Sequence, residues 1–242
     1  MPIVNKSIFE SQKILLPPLE EQVKIAEVLT AWDDALETLG KLIAAKLELK
    51  RGLMQALLTG KKRFQEFGTR EWKKTVLGKI VEFNYGKSQR DLSNQPGEFP
   101  IYGTSGILGF SSQFVFSGES ILVGRKGTID KPIRIRGSFW IVDTAYFLTG
   151  FQKSNIDWIS HFLNFIDLKS FNEASGVPSL NRQTLGNIPM NLPPLEEQIR
   201  ITDVLTTLDM ELERLRGQLE RIKMQKKGLM QHLLTGKTRV KI

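Results

Sequence analysis

Four short stretches carry the side chains that could act on a nucleic acid. They are Gly86-Lys87-Ser88-Gln89-Arg90, Gly103-Thr104-Ser105-Gly106, Gly124-Arg125-Lys126-Gly127-Thr128 and Ser175-Gly176-Val177-Pro178-Ser179-Leu180-Asn181-Arg182. Arginine, lysine, glutamine, asparagine and serine reach base edges and phosphate oxygens, and glycine lets backbone come close to phosphate. Taken singly, each stretch also reads as a hairpin turn with solvated charge. Taken together they point to DNA, with Lys87, Gln89, Arg90, Ser105, Arg125, Lys126, Asn181 and Arg182 as the candidate contacts.

Motifs for chemistry on a substrate are missing. A phosphate-binding loop needs a glycine five positions before its Gly-Lys-Ser/Thr. Gly86-Lys87-Ser88 has the right ending, but Val81 stands where that glycine belongs. No Gly-x-Gly-x-x-Gly follows a predicted strand, so neither a dinucleotide site nor a methyl-donor site of that kind is indicated. The two histidines, His161 and His232, fall in predicted helices, where packing or solvation is their usual role. No metal-ligand cluster is apparent, and the chain has no cysteine, which excludes disulfides, thiol nucleophiles and cysteine-based zinc sites. The reading is a non-catalytic protein that itself binds no metal or cofactor.

The elements that must hold these loops lie between residues 69 and 191. Glycine, aromatic and β-branched residues are frequent there. The pattern predicts strands at Val76–Tyr85, Phe99–Tyr102, Gln113–Phe116, Ser120–Val123, Ile133–Arg136, Phe139–Val142 and Ala145–Leu148, with turn residues between. A helix is predicted at Ile156–Leu168, started at Ser154 or Asn155, and a short one after Ser179. This is a compact α+β domain of mixed strands and short helices.

On either side of it the chain repeats itself. Leu16-Pro17-Pro18-Leu19-Glu20-Glu21-Gln22 returns as Leu192-Pro193-Pro194-Leu195-Glu196-Glu197-Gln198. Gly52-Leu53-Met54-Gln55 returns as Gly228-Leu229-Met230-Gln231, and Leu57-Leu58-Thr59-Gly60-Lys61 as Leu233-Leu234-Thr235-Gly236-Lys237. The offset never changes, and roughly half of about 48 aligned positions are identical. Prolines and then glutamates suit a helix start, and basic residues followed by glycine suit its end. The apolar residues alternate steps of four and three. One copy runs Ile25, Leu29, Trp32, Leu36, Leu39, Ile43, Lys46, Lys50, Leu53, Leu57; the other runs Ile201, Leu205, Leu208, Leu212, Leu215, Leu219, Ile222, Lys226, Leu229, Leu233. Such spacing marks a coiled-coil seam. Lys50 and Lys226 are matched polar breaks that either fix register or mark a splay. Each helix of about 40 residues is about 60 Å long. A lone helix would expose its stripe, so the two copies are expected to pair as an antiparallel coiled coil.

The chain has 242 residues and a net charge of +8, a balance that favours a polyanionic partner. No apolar run approaches the ~18–20 residues that span a bilayer, and the N-terminus lacks a signal-peptide core. The expectation is a soluble cytoplasmic protein.

These motifs together resemble the specificity subunits of type I restriction-modification enzymes. The resemblance rests on LPPLEEQ followed by a heptad helix ending in Gly-Leu-Met-x-x-Leu-Leu-Thr-Gly-Lys, repeated around a unique domain. It extends to Trp72–Gly78, to Phe99-Pro100-Ile101-Tyr102-Gly103 before Gly106-Ile107, to Ile121-Leu122-Val123-Gly124-Arg125 before Gly127, and to Ser179–Ile188. It implies a target recognition domain at residues 69–191 and conserved spacer helices at 16–63 and 192–242. It implies partners too: double-stranded DNA, a methylation subunit and a restriction (translocase) subunit, with S-adenosylmethionine, ATP and magnesium confined to those subunits. The family normally holds two recognition domains, each reading half of a bipartite target. This chain has one, and residues 1–15 read as the tail of a preceding domain, as in a truncated or half-length subunit. A homodimer through the helices would restore two domains and a symmetric target; a monomer would read one half-site. The alternative is an interaction scaffold that binds methylation subunits without productive DNA recognition.

Overall fold

The computed structural model describes residues 5–11, 16–92, 97–151 and 154–241. Residues 1–4 and 12–15 of the N-terminal segment lie outside the described residues. The elements in chain order are α1 (Lys6–Glu10), α2 (Leu19–Leu58), β1 (Lys73–Val76), β2 (Glu82–Tyr85), β3 (Phe99–Gly103), β4 (Gly106–Ser111), β5 (Phe116–Gly124), β6 (Ile133–Ile141), β7 (Ala145–Thr149), α3 (Ile156–Phe165), α4 (Arg182–Gly186), β8 (Pro189–Leu192) and α5 (Leu195–Leu234). The chain divides into two compact units, residues 1–49 with 208–242 and residues 50–207. Both long helices contribute a stretch to each unit.

The first unit is a helix pair. Ile25, Leu39 and Ile43 of α2 and Leu208, Leu212, Leu215 and Leu233 of α5 are buried, and all belong to the 4-3 stripe. Cross-links fix the direction. Lys46 Nζ meets Glu211 at 2.9 Å, Lys226 meets Asp33, and Arg239 Nε donates to Glu21 at 2.7 Å. Positions fall along one helix as they rise along the other, so the pair is antiparallel. Lys226, a break in the stripe, reaches across to the other helix, which favours a role in register.

The second unit is the α+β body. Its main sheet has the order β2-β7-β5-β6-β3-β4 and is antiparallel except for β3 against β6; β1 and β8 form a separate antiparallel pair. Burial on both faces of β5 explains its apolar run. Ile121 and Val123 face a large core with Tyr146, Trp158, Ile159, Leu163 and Leu185, while Leu122 faces a smaller one with Phe139, Ile141 and Phe147. The large core also takes Leu57 and Leu58 from the end of α2 and Ile201 and Leu205 from the start of α5.

Several predicted elements are corrected. Val76–Tyr85 is not one strand: a 3-10 turn at Leu77–Lys79 separates β1 from β2, and the two join different sheets. Gln113–Phe116 and Ser120–Val123 give way to β5, which starts only at Phe116 and runs through to Gly124. Ile133–Arg136 and Phe139–Val142 are one strand, β6. Gly137 looked like a turn, yet it kinks the strand interior at φ 94, opposite Gly118 on β5. Strands β4 and β8 had no prediction; β4 is an edge strand with Ile107, Leu108 and Phe110 exposed, so its alternation is weak. Helix α3 starts at its Asn155 cap, whose Oδ1 accepts from Trp158 N at 2.9 Å, but it ends at Phe165. Asp167 then caps a separate 3-10 turn.

Candidate nucleic-acid interface

All eight sequence-predicted contacts lie in the α+β body, and its backbone draws their loops together. The hub is the turn between β6 and β7. Lys87 N donates to Ile141 O at 2.8 Å, Gly86 N donates to Ala145 O at 3.1 Å, and Lys87 forms a bridge with Val142. Arg125 N and Lys126 N both donate to Thr144 O, at 2.8 and 3.0 Å. The fourth loop is stitched to the third: Gly127 N donates to Pro178 O and Leu180 N to Arg125 O, each at 2.9 Å, and Lys126 bridges Ser179. The second loop lies beside the third, since a Cβ on Gly127 would stand 3.7 Å from Thr104 Oγ1. Two glycines are required for this closeness. A Cβ on Gly86 would stand 2.1 Å from Val142 O, and one on Gly124 2.0 Å from Thr128 O.

The side chains then differ in how they are held. Lys87, Gln89, Arg90, Ser105, Lys126, Asn181 and Arg182 are exposed, and Arg125 is half-buried. Gln89 and Arg90 sit on a single 3-10 turn capped by Ser88, whose Oγ accepts from Arg90 N at 3.2 Å. Arg125 is fixed: Nη1 donates to Asp143 O at 3.1 Å, and its guanidinium lies 5.6 Å from the Tyr85 ring centroid. Tyr85 in turn packs edge-on to Tyr146 at 5.1 Å, and burial pushes the Tyr146 hydroxyl above the ordinary tyrosine range. Asn181 is committed on both sides of its amide. Oδ1 caps α4 by accepting from Thr184 N at 2.8 Å, and Nδ2 donates to both oxygens of Glu173, at 2.7 and 2.6 Å. Its place here is structural as well as superficial, and Arg182 follows on the first turn of α4.

Sequence reasoning missed Tyr85, the Asp143–Thr144 turn and Glu173. Tyr85 had a usable signal, an aromatic at a strand end directly before Gly86-Lys87. The turn and Glu173 had none, because their role arises from partners eight or more residues away.

A second feature belongs to the repeat. In the α+β body, Arg63 clamps the buried Glu197 through Nε at 2.9 Å and Nη2 at 2.7 Å, and that bond raises the arginine pKa further. The same arrangement recurs in the helix pair between Arg239 and the buried Glu21, whose pKa is lowered chiefly by the Arg239 bond. The two ends differ in what covers them. In the body Trp72 Nε1 donates to Glu197 at 2.9 Å, and Asn155 N donates to Gln198 Oε1 at 2.8 Å. In the helix pair the corresponding place is a groove of about 630 Å3 lined by Leu16, Glu21, Gln22, Ile25, Leu234 and Arg239, among others. Leu58 is 4% exposed, whereas its repeat partner Leu234 is 56% exposed. Among the described residues no cluster of three or more metal-ligating side chains occurs, and no helix is long and apolar enough to cross a membrane.

Comparison with known proteins adds the following. A family model described as the type I restriction modification DNA specificity domain matches residues 1–48 and 69–224. The chain is 30% identical, over 285 aligned positions, to the specificity subunit of type I restriction enzyme MjaVIII of Methanocaldococcus jannaschii, covering 100% of this chain and 65% of that one. It is 29% identical to the putative MjaX specificity subunit of the same organism, covering 98% and 62%. It superposes on the crystal structure of a type I restriction-modification S subunit from M. genitalium with a TM-score of 0.68 at 19% identity, covering 90% of this chain and 61% of that one, a likeness of fold. The chain thus spans less than two thirds of the length of these relatives.

Proposed function

Because the chain belongs to the type I restriction-modification DNA specificity family, we propose that it reads one half-site in double-stranded DNA and performs no chemistry itself. The observation that carries this reading is that two of the four loops bond to the turn between β6 and β7 and the other two lie against the third loop. Five cationic side chains, Lys87, Arg90, Arg125, Lys126 and Arg182, then share one loop cluster with the amides and hydroxyls suited to base edges. The net charge of +8 supports the same partner at longer range.

Catalysis belongs to other subunits in this proposal. Methylation subunits dock along the paired helices, where Val23, Leu49, Met210 and Met224 are exposed apolar side chains, and a restriction subunit joins them. S-adenosylmethionine, ATP and magnesium are held by those subunits. The groove at Glu21 receives a second recognition domain, since its repeat counterpart is covered by such a domain. A second copy of this chain cannot simply supply it, because in each copy that face of the body already packs on its own helices. Dimerisation through this groove therefore calls for exchange of domains.

The test is a binding selection from a randomised duplex pool, using the chain in complex with its methylation subunit, followed by mapping of the methylated bases. An enriched sequence element that is then methylated is the expected result. Assembly with the methylation subunit but no enriched sequence would leave only a scaffold, and the assignment would fail.

A further inference from the structure

Among the candidate loops, residues 173–180 combine a rigid base with an apolar tip. Glu173 N donates to Ser179 O at 3.0 Å and closes the loop. Asn172 Oδ1 accepts from Ser179 N at 2.8 Å and from Ala174 N at 3.1 Å. Gly127 N and Arg125 O bind Pro178 O and Leu180 N on the far side. Yet the residue this scaffold presents is not polar: Val177 is 68% exposed, next to Gly176, around whose Cβ position there is open space.

A valine cannot bond a phosphate, so the apolar tip stitched to Arg125 and Lys126 adds nothing to phosphate binding. Duplex DNA offers few apolar surfaces in its grooves, and the one that carries sequence information is the thymine C5 methyl. Bracing matters for such a contact, since dispersion needs atoms held at van der Waals distance. The flanking Arg125, Lys126 and Arg182 supply the phosphate attraction that brings the tip to the groove. We infer that Val177 is a specificity residue that packs against a thymine methyl at one A·T pair of the target. This inference rests on the DNA-reading assignment and names one element of it.

The experiment repeats the binding selection with the same complex, using randomised duplex pools made with thymine or with uracil. Uracil keeps every hydrogen-bonding edge of the base and removes only the methyl. In the thymine pool, Val177→Ala and Val177→Ser should lose the preference for A·T at one position by about tenfold. The slope of log affinity against log salt should not change, because no phosphate contact is removed. The unaltered chain should lose that same preference in the uracil pool, and Val177→Ala should lose nothing more there. Lys126→Ala is the contrast, weakening all sequences alike with a shallower salt slope. Because Val177 is exposed, its variants fold. An unchanged preference at every position in Val177→Ala overturns the inference, and so does an A·T preference that survives uracil. Unaltered DNA preference with weakened binding of the methylation subunit would assign the tip to a protein contact and overturn it as well. If the unaltered chain enriches no sequence in either pool, the DNA-reading assignment itself fails, a result distinct from these.

Discussion

Arg125 and Lys126 are neighbours in sequence with opposite circumstances. The guanidinium of Arg125 is held by Asp143 O and the Tyr85 ring, while the Lys126 ammonium is exposed. A fixed planar fork suits bidentate recognition of a guanine, and a mobile point charge suits phosphate. Arg125→Ala is therefore expected to cost about 1–3 kcal/mol on the selected target and much less on random duplex. Lys126→Ala should weaken both alike; equal losses on both duplexes for Arg125→Ala, by gel shift or anisotropy, would refute the distinction. Tyr146 gives a pH signature. Its hydroxyl is buried and held above the ordinary value of 10.0, so the unfolded chain ionises first. Stability from this group is complete below about pH 10 and declines as pH rises through the folded value. Tyr146→Phe should flatten the alkaline fall in urea midpoint measured from about pH 9 to 11. At this scale the sequence was half legible. It named the polar residues of the loops, but it carried no sign that the amide of Asn181, one of the candidate contacts, also bonds Thr184 and Glu173. Side-chain type is local information, and the partner that occupies a side chain is not.

Helices and strands were legible to different degrees. The paired helices have the length and the buried stripe that the 4-3 pattern points to, because helix periodicity is written in neighbouring residues; their antiparallel direction is fixed by the ion pairs between them. The strands of the body were misjudged where burial on both faces or an edge position removed the alternation. Helix α3 shows how one side chain serves two elements. Asn155 Oδ1 caps the helix at Trp158 N and also accepts from Thr202 Oγ1 of α5 at 3.3 Å. Asn155→Ala should cost about 1–2 kcal/mol, at the upper end of ordinary cap losses. Chemical denaturation measures this, and a change below about 0.5 kcal/mol would show the cap to be replaceable.

The whole molecule contains two copies of one sequence motif in two environments. Leu58 lies in the large core of the body at 4% exposure, whereas Leu234, the same residue of the repeat, is 56% exposed. Leu58→Ala should cost about 2–5 kcal/mol, as buried leucines do. Leu234→Ala should cost less than about 1 kcal/mol in the chain alone, since most of that side chain remains in water. Addition of a separate recognition domain that occupies the groove should raise the Leu234→Ala penalty towards the other value. Equal penalties in the chain alone, from urea titrations of the two variants, would mean that the groove is not an open counterpart of the covered site.

The repeat, the helix lengths and the loops that carry charge were determined by the sequence alone, because periodicity, composition and spacing are properties of neighbouring residues. The tertiary structure decided that four loops separated by up to about 90 residues are drawn together beside the turn between β6 and β7, and that Arg125 is clamped while Lys126 is exposed. It also decided that one copy of the Arg–Glu clamp is roofed by Trp72 and the other borders an open groove. Identical segments acquire different energetics from what packs on them, and packing partners distant in the chain leave no mark on the local pattern.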